Sequence, residues 1–211
     1  MILATSSCHR YYTNSAFHSK TRNHKLVAVL PPEMIFTGVQ PKNLKQADII
    51  RLEEADSRAF QQSLYGHILR HGSTRKYQNT VSVQDISNTL ALLQQNNISI
   101  RDSWRLDDAT LCKALGVDAV VRMRIQKNRY MSDAASLGID LGTQLLENIL
   151  NVPGVNNRTN DIIANCSISS NGETLWNSQY NRPADWQTNA NEVINDISNN
   201  FGRQFPYRER K

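Results

Sequence analysis

Apolar and polar positions along this chain follow two rhythms, one near 3.6 residues and one of 2, and the points where they switch mark the elements. The sharpest switch lies in residues 106–125. Asp107 is placed to cap a short helix, because its carboxylate can accept from the unpaired amides of the first turn. Leu111, Cys112 and Leu115 share one helical face, and Gly116 follows where a left-handed C-cap would clash with a Cβ. The apolar run 117–121 then reads as a strand entering a core. Beyond it, Val121, Met123 and Ile125 alternate with Arg122, Arg124 and Gln126, so the strand is buried at its start and half-exposed further on.

Other elements follow from the same patterns. Residues 25–30 form a first strand, ended by Pro31-Pro32 through the loss of two backbone donors, and residues 33–45 read as a loop. A long helix over 46–70 carries an apolar stripe of Leu52, Ala55, Ala59, Phe60, Leu64, Ile68 and Leu69, and His71-Gly72 closes it. Thr80-Val81 belongs to a short strand. Ser82 and Asp85 have capping-box spacing ahead of a helix through Ile86, Leu90 and Leu93 to Asn96-Asn97. Residues 161–180 are the clearest β signal. Ile162, Ala164, Cys166 and Ile168 alternate with Ile163, Asn165, Ser167 and Ser169, Asn171-Gly172 suits a type I′ turn, and residues 173–180 return. Trp176 and Tyr180 share a face, as a buried aromatic pair or, less simply, a ligand platform. The last helix is expected from an N-cap at Asp185 to about Phe205, with Trp186, Ala190, Val193, Ile194, Ile197 and Phe201 as its core face. Residues 131–155 permit an amphipathic helix weakened by Gly138 and Gly142. An ordinary core helix, a subunit contact and a membrane-facing insertion all remain open for it. The succession predicts an α/β fold with a three-layer-like mixed sheet of about four to five strands flanked by helices.

Composition narrows the class. The chain has 211 residues, 39% of them apolar, enough for one domain with a real core. Its net charge of +5 is spread out apart from Arg122-Arg124-Lys127-Arg129 and the tail Arg208-Arg210-Lys211. No dense basic stripe is interleaved with aromatics, so nucleic acid is not an expected partner. No segment reaches the roughly 20 apolar residues of a membrane-spanning helix; residues 134–155 come nearest, interrupted by Asp140 and Glu147.

The candidate chemistry is sparse. His67 and His71 have metal-ligand spacing, but there is no HExxH glutamate and no third ligand in view. Two helix-surface histidines, favoured in the protonated form by the helix dipole, are expected instead. Gly138 and Gly142 lack the lysine of a phosphate loop, and no GxSxG occurs. Asp107-Asp108 and Glu53-Glu54 are adjacent pairs that diverge on a helix. An enzyme would need a concave polar pocket gathering His67, Asp118 or Arg122. The expectation is therefore a non-enzyme with no catalytic residue, no cofactor and no metal site. Cys112 and Cys166 have no metal-ligand spacing and read as buried thiols, with a disulfide between them also open.

Residues 1–8, MILATSSC, resemble the end of a bacterial lipoprotein signal peptide, cut before a cysteine that is then acylated with chains such as palmitate. Thr5-Ser6-Ser7-Cys8 resembles the relaxed lipoboxes of the Bacteroidetes group. The alternative is a cytosolic chain with an incidental early cysteine. Only Ile2-Leu3-Ala4 stands for the apolar stretch such a signal needs, so more sequence is expected upstream. Three further features resemble one group of proteins: the strand 26–30 with Pro31-Pro32, the stretch Ala114-Leu115-Gly116-Val117-Asp118-Ala119-Val120-Val121, and the return strand Asn171-Gly172-Glu173-Thr174-Leu175-Trp176. They occur in this order in envelope lipoproteins of the curli-secretion-subunit and TolB amino-terminal-domain type, whose fold the penicillin-binding-protein activator lipoproteins share. The resemblance implies a lipidation site at Cys8, residues 1–24 as residual signal and flexible tether, one α/β domain over 25–206, and a basic tail at 207–211. It implies anchoring at the outer membrane facing the periplasm, and a non-catalytic accessory or assembly role through an envelope protein partner. A homo-oligomer, as a subunit of a curli-type secretion channel, is the alternative.

Overall fold

The computed structural model describes residues 11–38, 45–129, 158–185 and 189–211. In chain order the elements are β1 (Tyr11–Thr13), α1 (Phe17–Thr21), β2 (Leu26–Val29), β3 (Glu33–Gly38), α2 (Gln46–Gly72), β4 (Tyr77–Asn79) and β5 (Ser82–Val83). There follow α3 (Ile86–Gln95), α4 (Ile100–Ser103), α5 (Asp108–Leu115), β6 (Ala119–Arg129), β7 (Arg158–Ser170), β8 (Glu173–Asp185), α6 (Ala190–Gln204) and β9 (Arg208–Arg210). The α/β class is as expected, but among the described residues the mixed sheet has seven strands, in the order β1-β8-β7-β6-β2-β5 with β3 also on β6, and β4 and β9 form a separate ribbon.

Strand alternation divides the core in two. Val27 and Val29 of β2 and Val121, Met123 and Ile125 of β6 join Phe60, Leu64 and Ile68 of α2 and Ile197 and Phe201 of α6. Ala28, Leu30 and Val120 point the other way, onto Leu93 of α3 and Leu111 and Leu115 of α5. The molecule is thus three layers. Asp107 caps α5 by accepting from Thr110 N, and Gly116 ends it at φ 65°, ψ 38°, as its place in the sequence predicts. Asn171 (φ 50°) and Gly172 (φ 78°) make the tight β7–β8 turn. Just past it, Ile168 faces Trp176 while Ser169 faces Thr174, so Leu175 is an extra residue. That bulge lets the consecutive Leu175 and Trp176 both reach the core, each 2% exposed.

Several expectations are corrected. Residues 33–38 are strand β3 and not loop. Val29 faces Val121 and Glu33 faces Arg124, so residues 30–32 match only two residues of β6, and the ladder resumes after the prolines. The carbonyls freed there are satisfied from elsewhere: Gln61 Nε2 donates to Val29 O, Ser57 Oγ to Pro32 O and Trp104 Nε1 to Pro31 O, at 2.8, 2.7 and 3.2 Å. This is why the buried stripe of α2 runs through Ser57, Phe60, Gln61, Leu64, His67 and Ile68. Leu52 and Leu69 lie off it, 40% and 37% exposed, and Ala55 and Ala59 are exposed too. Ser82 is in β5 and caps nothing; Asp85 caps α3, accepting from Ser87 N and Asn88 N. Thr80-Val81 links β4 to β5. Asp185 ends β8, and α6 starts at Ala190 behind the cap of Asn189. Residues 11–24 are part of the fold and not a tether: β1 pairs with β8, and Phe17 is 4% exposed in the core. The expected basic tail holds buried Tyr207 and strand β9. Trp186 lies outside the described residues.

Candidate functional site

Two concave features stand out. The first is on the sheet face carrying Arg122 and Arg124. Helices α3 and α5 cover that face over β2, the start of β6 and the adjoining end of β7. Farther along, no described helix lies over it, and its side chains are polar: Asn165 and Ser167 on β7, Asn177 and Gln179 on β8, half-buried or exposed. A cavity of about 210 Å³ opens there, lined by Leu30, Trp104, Arg122, Arg124, Asn165 and Ser167 among others.

Arg122 does gather at this cavity, but its donors are engaged. Nε pairs with Asp108, Nη2 donates to Leu106 O, and Nη1 reaches Ser103 O and Trp104 O at 3.3 Å each. It ties the chain before α5 to the central strand. Arg124 pairs with Glu33. Asp118 is elsewhere, accepting from Lys25 N (2.7 Å) and Leu26 N (2.9 Å). Burial pushes its carboxyl up, yet those two backbone donors and the nearby His24 and Lys25 outweigh it and hold it below the usual range.

His67 is elsewhere too, and it is not on the surface. It is 4% exposed between α2 and α6, with Nε2 2.8 Å from Asn195 Oδ1; His71, one turn on, meets Asn199 Oδ1 at 2.8 Å. The two rings stack at 5.9 Å. An amide oxygen accepts, so each Nε2 carries the proton, and the Nδ1 of His67 is left without a partner. Burial lowers the His67 pKa, reinforced by Arg70 and His71 and opposed by Asn195, so burial overrides the dipole argument for a protonated ring. The sequence signal for this ladder was the matched i, i+4 spacing of His67/His71 and Asn195/Asn199. Among the described residues no cluster of three metal-binding side chains occurs.

Cys112 and Cys166 are both free and lie in different core clusters, on opposite faces of the sheet, which rules out a bond between them in this fold. Burial raises both thiols, Cys112 to about 11. Trp176 is buried, whereas Tyr180 is half-buried and donates to Asp196 Oδ2 at 3.1 Å, where Arg182 also pairs; both serve packing of α6 on β8. Cys8 and residues 131–155 lie outside the described residues. Among the described residues no helix is long and apolar enough to cross a membrane.

The second feature was not foreseen. A cleft of about 350 Å³ opens between β1, the end of α6 and the β4–β9 ribbon, lined by Tyr11, His18, Tyr77, Arg203 and Arg208 among others. Arg208 lies 4.6 Å over the Tyr77 ring. Its parts are far apart in sequence and meet only because β4 pairs with β9.

No protein-family model matches the chain, and no curated protein matches it by sequence. Solved structures do show a likeness. Lipoprotein GNA1162 from Neisseria meningitidis is 14% identical with a TM-score of 0.45, over 82% of this chain and 96% of that one. The PelC dodecamer from Paraburkholderia phytofirmans gives 9% and 0.41, over 92% and 93%. The LpoB C-terminal domain from Salmonella enterica gives 11% and 0.35, over 76% and 84%. These likenesses are distant, and nothing about what those proteins do transfers with them.

Proposed function

We propose that the protein is a bacterial envelope lipoprotein of the type its sequence resembles, acylated at Cys8, held at the outer membrane facing the periplasm, and acting without catalysis as an accessory or assembly factor. The observation that carries the binding role is the polar face of β6, β7 and β8, which no described helix covers. It presents neutral side chains such as Asn165, Asn177 and Gln179 on a rigid sheet, while the guanidiniums at its edge are tied to Asp108 and Glu33. A preformed polar surface on regular strands suits a protein partner, since little ordering is needed on binding. The cavity beside it holds neither histidine nor cysteine.

The test places a photo-crosslinking residue at Gln179 and irradiates the lipidated protein in its native envelope. A discrete crosslinked partner, lost when Asn177 and Asn165 are replaced by arginine, is expected. Crosslinks spread over many proteins with no dependence on those residues would contradict the proposal. One feature favours the secretion-channel alternative: residues 130–157 join the antiparallel neighbours β6 and β7, where two to five residues suffice. Crosslinks only to further copies of the chain, together with ring oligomers in detergent, would select it.

A further inference from the structure

The ribbon β4–β9 concentrates the charge of the whole molecule. Arg70 lies in the last turn of α2, and Arg75 and Lys76 form the turn into β4. Lys211 N donates to Lys76 O at 3.0 Å, which brings Arg208, Arg210 and Lys211 alongside, and Arg203 joins Arg208 in the cleft. Seven of the 24 Lys and Arg and one of the 19 Asp and Glu are here, so the rest of the chain, 17 cations against 18 carboxylates, is nearly neutral. The one acid, Glu209, lies on the opposite ribbon face from Arg208 and Arg210 and is engaged by Gln78 Nε2 at 2.7 Å. Among the described residues none of the seven cations has an ion-pair partner. The sequence hid this patch because residues 70–76 and 203–211 meet only through the β4–β9 pairing.

We infer that this end of the molecule binds the anionic phospholipid surface of the membrane, the cations meeting headgroup phosphates and the cleft admitting one of them. The inference rests on the Cys8 anchor proposed above for its orientation. Tyr11 lines the cleft, and Cys8 precedes it by three residues, a reach of at most roughly 11 Å. An acylated Cys8 therefore keeps this end within reach of the bilayer. Tyr11 (54% exposed) and Tyr77 (37%) line the cleft within the patch. Tyrosine is a ring suited to the headgroup layer, with an apolar body and a polar tip. A second copy is a poor occupant, since the rest of the chain is nearly neutral in sum.

The experiment uses the full chain carrying Cys8→Ser, so that no lipid contributes. Its partitioning is measured by co-sedimentation with phosphatidylcholine vesicles and with vesicles in which about a third of the lipid is phosphatidylglycerol. Each cation at an anionic surface strengthens partitioning about fivefold. Binding to the anionic vesicles only is expected, abolished near 1 M salt, where the Debye length shrinks to about 3 Å. The triple variant Arg75→Glu/Arg203→Glu/Arg210→Glu should weaken it about a hundredfold or more. Lys45→Glu/Arg51→Glu/Arg58→Glu, an equal charge change on exposed positions of and beside α2, should weaken it far less. Equal losses from the two triples, equal binding to neutral vesicles, or no binding would each overturn the inference. Tighter binding to duplex DNA than to vesicles would overturn it in favour of a nucleic-acid surface. The two claims fail separately: an unacylated Cys8 with vesicle binding intact removes the anchor alone, and an acylated Cys8 without vesicle preference removes the patch alone.

Discussion

Gly202→Ala tests the packing of α2 on α6 more directly than any other single change. A Cβ at residue 202 would stand 2.7 Å from His67 Cβ, 3.0 Å from the His67 backbone carbon and 3.2 Å from Ile68 N. Carbon contacts settle near 3.5 to 4.0 Å, so α6 must move off α2 by roughly 1 Å. None of the three atoms is the end of a flexible side chain that could swing away. Overpacking of this kind costs about 1 to 3 kcal/mol. The 2.8 Å bond between His67 and Asn195 would be stretched by the same movement. The better helix propensity of alanine returns up to about 1 kcal/mol, less here because the helix ends at Gln204. The net expectation is a loss of about 1 to 2 kcal/mol, or about 2 to 8 °C in Tm for a chain of this size. Gly66→Ala is the matched control. It lies inside α2 with nothing within 4 Å of its Cβ site, so it should stabilise by about 0.5 to 1 kcal/mol. Urea and thermal unfolding of both variants read the difference. Stabilisation by Gly202→Ala comparable to that of Gly66→Ala would refute the close approach.

Three other outcomes follow from named groups. Because the folded pKa of His67 lies below the ordinary 6.5, the unfolded chain takes the proton first as pH falls. Its contribution is fully present above about pH 6.5, is lost as pH drops toward the lowered folded value, and levels off below it. His67→Gln should flatten that part of a urea-midpoint profile, and an unchanged slope would count against the burial of the ring; His24, lowered mainly by burial, keeps a residual slope of the same sign. With buried thiols raised, Cys112 to about 11, both should resist a disulfide reagent at pH 8 until urea unfolds the protein, with Cys166 the slower; prompt labelling of Cys166 would contradict its placement. Arg122→Met leaves Asp108 and three backbone carbonyls without their donor and should lower stability by about 2 kcal/mol, measured by urea unfolding.

What the sequence revealed was local. The Asp107-to-Gly116 helix, the buried start of β6 and the Asn171-Gly172 turn each depend on a few neighbouring residues whose chemistry permits one conformation. What it concealed depended on partners distant in the chain. Ser57 and Gln61 look like solvent-facing positions until the carbonyls of Pro32 and Val29 are seen to need donors. Residues 33–38 look like loop because two prolines precede them, and only the bulge against β6 shows how the ladder restarts. His67 and His71 look like surface residues without Asn195 and Asn199. The candidate surfaces were the least legible, since the polar sheet face is defined by which strands no described helix covers and the basic end by a pairing between β4 and β9.

The anchoring of this domain to the envelope rests on Cys8. The most direct measurement is intact-mass and peptide analysis of the protein isolated from its native membranes, beside a Cys8→Ser variant. Anchoring through Cys8 predicts an amino-terminal peptide that begins at an acylated Cys8, and a variant released into the soluble fraction. An unmodified Cys8 within a longer peptide, with the protein distributed as in the variant, would contradict it.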